Sequence, residues 1–182
     1  MRMFRLLNAN EIECRVAEIN KSGSGLTLLL YKTARTDASL LDEVVGPEKW
    51  ANDFKIINDN LYGGIGIKFV DEWVWRWDCG SESNVEAEKG EASDAFKRAG
   101  FKWGIGTELY TAPKIWVSSQ SCEIKEINGK FKCYDEFAVE CISYAANGAI
   151  DGLSILNVTQ SNKLNKKIRA FLLMPPKDKE KT

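Results

Sequence analysis

WANDFKIINDNLYGGIGIKFVDEWVWRWDCGS, residues 50–81, is the stretch that decides the fold. It holds three apolar-rich runs separated by turn residues. Trp50 to Ile57 turns at Asn58-Asp59-Asn60, Leu61 to Phe69 turns at Asp71-Glu72, and Trp73 to Ser81 follows. In the third run Trp73, Trp75 and Trp77 alternate with Val74, Arg76 and Asp78, the period of two that a strand imposes. The stretch reads as a three-stranded antiparallel meander. Aromatic side chains on an open sheet can stack bases. Their usual place in cores sets the opposite expectation, that the tryptophans bury one sheet face against a helix.

That helix comes next, over roughly Val85 to Trp103, with Ala92, Phe96, Ala99 and Trp103 at spacings of four, three and four. Gly100, Gly104 and Gly106 loosen its end. Upstream, Asn8 or Asn10 caps an expected helix through Glu11 to Ile19, with Ile12, Val16 and Ile19 as its stripe. A Ser22-Gly23-Ser24-Gly25 turn leads into a strand at Leu26 to Tyr31, and Asp37 to Val45 suits a helix stopped by Gly46-Pro47. Downstream, Asn128-Gly129 and Asn147-Gly148 separate strand-like runs at Cys122 to Ile127, Phe131 to Val139 and Ile150 to Leu156. The fold class is α+β: an antiparallel meander crossed by a long helix, with additional C-terminal hairpin strands. One domain over residues 1–160 is expected, followed by a basic, partly disordered tail at 161–182 with Lys163, Lys166, Lys167 and Arg169.

The 182 residues contain no histidine, which excludes Ser-His-Asp and Cys-His catalysis and any His-ligated metal centre. Five cysteines (Cys14, Cys79, Cys122, Cys133, Cys141) form no C-x-x-C pair, so a structural zinc site is not expected and the thiols read as reduced. No metal or other cofactor is expected. Without a long apolar run or a signal-like N-terminus, a cytoplasmic location with no membrane partner is the expectation. The formal net charge of −1 demands that any grip on nucleic acid come from a local basic track.

The densest such cluster is Lys97, Arg98 and Lys102 in DAFKRAGFKWGIG. With Phe96 facing the core, Lys97 lies to one side while Arg98 and Lys102 lie near the far face. Three cations within a turn and a half make a phosphate ladder or merely a solvated face, with Asp94 a supporting partner for Arg98. Lys32 and Arg35 form a second, weaker group. GFKWGIG lacks the order of a Walker loop, which argues against an ATPase. Glu123-Ile124-Lys125 has the E-x-K form of metal-dependent nucleases but wants a second carboxylate for Mg²⁺. A plain interaction module is the third reading.

Residues Leu26 to Val117 resemble the Rad fifty-two superfamily of single-strand annealing proteins, in particular phage Sak-type recombinases. The likeness is carried by YKTARTDASLLDEVVGPEKWANDF, by the Trp-rich run ending DCGSES, and by EKGEASDAFKRAGFKWGIGTELYTAPKIWV. It implies ATP-independent annealing of complementary strands in recombination and repair, without a covalent step, by an oligomeric ring with a basic outer groove. It also implies single-stranded DNA as partner, with a single-strand binding protein as a second, in a host cytoplasm for a phage-encoded chain. The implied DNA contacts fall on Arg35, Lys97 and Arg98; a further basic position is Phe101 here, with Lys102 as its neighbouring substitute.

Overall fold

The computed structural model describes residues 2–81 and 87–176, apart from the side chains of residues 87–89. In chain order the elements are β1 (Glu13–Ile19), β2 (Gly25–Tyr31), α1 (Ala34–Val45), β3 (Trp50–Ile57), β4 (Asn60–Phe69), β5 (Glu72–Cys79), α2 (Ala87–Lys102), β6 (Ile115–Ser118), β7 (Ile124–Ile127), β8 (Lys130–Cys133), β9 (Phe137–Tyr144), β10 (Ile150–Asn157), α3 (Val158–Leu164) and β11 (Arg169–Leu173). This is the expected α+β class, with antiparallel pairing in each sheet. The chain divides into two compact units, Met1–Leu6 with Lys32–Thr107 and Leu7–Tyr31 with Glu108–Thr182.

In the first unit, β3, β4 and β5 form the anticipated meander. Asn58 and Asp59 both take positive φ (50° and 60°), as a tight hairpin turn requires, so polar residues that tolerate the left-handed region stand there. Helix α2 covers one face. It comes close because Gly63 has no side chain: a Cβ there would lie 2.8 Å from the Ala95 backbone. Ile65, Ile67, Ala95, Phe96 and Ala99 are buried at this contact. Trp103 is buried too, and its indole N–H donates to the Ile65 carbonyl at 2.9 Å.

The tryptophans of β5 are not on that face. Register places Trp77 opposite Gly64 and Trp75 opposite Gly66, the positions alternate to Gly63 and Ile65. It is Arg76 that points toward the helix side, its guanidinium 4.4 Å from the centre of the Trp103 ring. The expectation that the tryptophans pack beneath a helix is therefore corrected. Alternation sorts residues into two faces, and the glycines of β4 decide which of them a helix can approach.

The second unit is built on a six-stranded sheet in the order β11-β10-β9-β1-β2-β6. The segment expected as a helix from Glu11 to Ile19 is a short 3-10 turn (Ala9–Glu11) followed by β1. Its register against β2 shifts between Val16 and Glu18. An extra residue there moves the next inward side chain from position 18 to 19, so Ile12, Val16 and Ile19 imitate a helical spacing on a strand. The expected strand Phe131 to Val139 is likewise two strands, β8 and β9. Asp135 interrupts it: its carboxylate accepts from the Glu123 backbone N–H (2.8 Å), the Asn157 amide (2.7 Å) and the Gln160 amide (2.9 Å).

β11 pairs with β10, so the sheet takes in residues beyond the boundary expected at 160. Several cations of the expected basic tail are tied down in this unit. Lys163 binds Glu123 at 2.9 Å, and Lys167 and Arg169 both reach Glu140. The terminal KDKEKT, residues 177–182, lies outside the described residues.

Candidate nucleic-acid interface

Helix α2 presents its cations because its apolar stripe is spent on β4. With Ala95, Phe96 and Ala99 inward, Arg98 and Lys102 flank the buried stripe on the side of β5, 46% and 49% exposed. They are one turn apart and converge on Asp78 at the end of β5, at 3.5 and 3.8 Å. Lys97 stands to the side, 26% exposed, 3.8 Å from Asp94. Asp94 thus supports Lys97 and not Arg98, and it also accepts from the Ser81 backbone and hydroxyl at 3.1 and 2.9 Å. Partly exposed pairs at such distances are worth at most about 1 kcal/mol, so a phosphate can displace the carboxylates.

Arg35 lies in the first turn of α1, exposed and without an ion pair among the described residues. Thr33 caps that helix, its hydroxyl accepting from the Thr36 N–H. The two helices are joined by Lys32. Its ammonium sits 2.5 Å from Asp37, donates to the Lys97 carbonyl at 3.2 Å and lies 4.1 Å from the Phe101 ring centre. Gly100 leaves the room that this carboxylate occupies. Burial pushes the Asp37 carboxyl up to about 6, against the pull of Lys32 and, more weakly, of Lys97.

Lys32 is a correction to the expected set of DNA contacts. Its side chain is 1% exposed and its charge is matched inside the protein, so it anchors the cation-bearing helix and reaches no phosphate. In the sequence Asp78 enters only through the resemblance, as the end of the Trp-rich run, and is given no role at the site, although it shares an alternation face with Arg76 and ends the strand facing α2. The E-x-K motif offers little to a metal: Glu123 is exposed and held by Lys163 (2.9 Å) and Lys125 (3.1 Å), which keep its carboxyl below the usual range. Among the described residues no cluster of three or more Cys, Asp or Glu side chains could hold a metal ion. Among them, too, no helix is long and apolar enough to cross a membrane.

Residues 61–128 match the Rad52/22 family double-strand break repair protein model. This segment is similar to the Rad52/22 family. It contains Asp78, Lys97, Arg98 and Lys102, whereas Lys32 and Arg35 precede it. The chain is also 30% identical over 111 residues to the single-stranded DNA-binding protein DdrA of Deinococcus radiodurans, covering 60% of this chain and 53% of that protein. A DdrA of the same description from Deinococcus deserti is 30% identical over 112 residues, covering 60% and 55%. The chain thus spans about half the length of the relatives it matches. The Rad52/22 match does not single out the phage Sak-type branch.

Asp78 lies within the matched segment, and a carboxylate shared by two cations would have to be displaced by, or would repel, any phosphate that approached them. Asp78→Asn keeps the acceptor used by the Cys79 N–H and removes only the charge. Affinity for a single-stranded oligonucleotide, read by fluorescence anisotropy, is expected to rise by about twofold to fivefold, in line with the small worth of exposed pairs.

Proposed function

We propose that this chain binds single-stranded DNA through its phosphates and promotes annealing of complementary strands in recombination and repair. The contacts are Arg35, Lys97, Arg98 and Lys102. The observation that carries the reading is the exposed Arg98–Lys102 stripe of α2, inside the segment that matches the Rad52/22 family. The relatives described as single-stranded DNA-binding proteins support the same partner.

Annealing asks for bases left free to meet a second strand, so the track must hold the backbone. Arginine forks two oxygens and lysine supplies a mobile charge, with little dependence on base sequence. Neutralised phosphates repel a second strand less, which lowers the barrier to pairing without fuel or a covalent step.

Oligomerisation into a ring is part of the proposal, and the edges of the first unit's sheet support it. β3 and β5 are the outer strands of a three-stranded sheet, and both carry many exposed residues. Open edges invite pairing. Because the two edges are different strands, joining them between copies is head-to-tail, and such contacts close into rings when the rotation permits. Repetition then multiplies a modest cationic patch on a chain with net charge −1.

The test is a strand-annealing assay with complementary labelled oligonucleotides, without ATP, alongside size-exclusion chromatography with and without DNA. Faster annealing than the spontaneous rate, by a species heavier than one subunit, is the expected result. No acceleration, or Mg²⁺-dependent degradation of the oligonucleotides, refutes the reading.

A further inference from the structure

The face of the β3–β4–β5 sheet turned away from α2 carries Trp73, Trp75 and Trp77 in a row. Their indoles lie down on the sheet. A Cβ built on Gly64 would meet three ring atoms of Trp77 at 2.6–2.7 Å, and one on Gly66 three ring atoms of Trp75 at 2.7–2.8 Å. Three atoms of one ring at near-equal distance mean that the Cβ direction meets the ring face. Each of these two rings therefore turns one π-face to the β4 backbone and the other outward. Successive rings are close to parallel: Trp75 and Trp77 lie 5.4 Å apart at 23°, Trp73 and Trp75 6.2 Å apart at 30°. Trp73 and Trp75 are 43% and 36% exposed.

Tryptophan contributes large apolar area, and two exposed indoles aligned with the half-buried Trp77 call for an occupant. The charges on this face indicate which. In register, the positions sharing it are Asp53 and Lys55 on β3, and Lys68 on β4 opposite Trp73. Lys55 holds its ammonium 4.0 Å from the centre of the Trp77 ring. The core of a protein–protein interface is depleted of charge. Aromatic faces beside lysines are instead the makeup of a single-strand platform, where bases stack and phosphates meet cations.

We propose that Trp73, Trp75 and Trp77, with Lys55 and Lys68, form a base-stacking platform for single-stranded nucleic acid on the face opposite the α2 cations. The proposal goes beyond phosphate binding by α2, since it engages bases and uses other residues. One subunit then offers two kinds of grip, one blind to bases and one that needs them.

The experiment compares a fifteen-nucleotide deoxythymidine oligomer with an abasic oligomer of the same length, which keeps the phosphates and lacks the bases. The full chain, Trp75→Leu and Trp73→Leu are titrated against both, with circular dichroism confirming the fold. Trp75→Phe serves as the conservative variant. The full chain is expected to prefer the thymidine oligomer. Each leucine variant is expected to lose about fivefold to hundredfold of that affinity with no change toward the abasic one, and phenylalanine to restore much of it. Lys97→Ala/Arg98→Ala is expected to lose affinity for both oligomers while keeping the preference. Equal affinity of the full chain for the two oligomers overturns the platform and leaves phosphate binding standing. So does an unchanged preference in the leucine variants with a fall in mass by light scattering, which would make the face an interface between copies. Failure of the full chain to bind either oligomer overturns both readings.

Discussion

Replacing Lys97 and Arg98 together with alanine is expected to weaken single-stranded DNA binding by about a hundredfold or more, with the assembly state unchanged. Hydrogen bonds to charged groups contribute roughly 1.5–3 kcal/mol each, and each tenfold in affinity is about 1.4 kcal/mol. Removing two such bonds to phosphate from every subunit accounts for the size of the effect. The variant should fold, because neither side chain is part of the buried core and the ion pairs it loses, at 3.8 and 3.5 Å, are partly exposed and weak. The dependence on salt gives a second readout. Each phosphate held on a single strand contributes about 0.7 to the slope of log affinity against log salt, so the slope for the double variant should fall by roughly 1.4 per subunit engaged. Anisotropy titrations at three or more salt concentrations measure both quantities. Unchanged affinity removes these residues from the interface.

Lys32→Met should act on stability first and on DNA only through it. Removing one partner of a buried ion pair strands the other charge, a loss of roughly 3–5 kcal/mol, whereas apolar residues in place of both are often neutral. Lys32 also holds the Lys97 carbonyl, so the loosened helix should bind DNA less tightly. The salt slope should nevertheless stay that of the unaltered chain, since every cation proposed to bind phosphate is still in place. Lys32→Met/Asp37→Leu is expected to recover most of the stability in urea denaturation. A single variant as stable as the parent, or one with a reduced salt slope, contradicts the anchoring role assigned to Lys32.

Particular residues explain what is legible in the sequence and what is not. The span of β3 follows from local signals, a run of strand formers closed by Asn58-Asp59, so its limits match the expectation. The outward placing of Arg98 and Lys102 follows from the α2 stripe in the same way. β1 imitates a helix because a bulge near Ala17 turns a period of two into a helical spacing, and only pairing with β2 exposes it. Lys32 and Arg35 look alike in the sequence. What separates them is that Lys32 ends up facing Asp37 beneath Phe101, a tertiary fact with no local signature. Alternation correctly puts the three tryptophans on one side of β5. It carries no information about which side a helix takes, a choice made on β4 by Gly63 on one face and Gly64 and Gly66 on the other.

Those three glycines make β4 a partition one peptide thick. A methyl group added at 63 would press on helix α2, while the same methyl at the next residue would lift an indole from its seat. Chemically identical changes at adjacent codons would thus be felt by opposite sides of the molecule. The strand tolerates little variation at these positions, because the room a side chain would need has been given to its neighbours on both flanks.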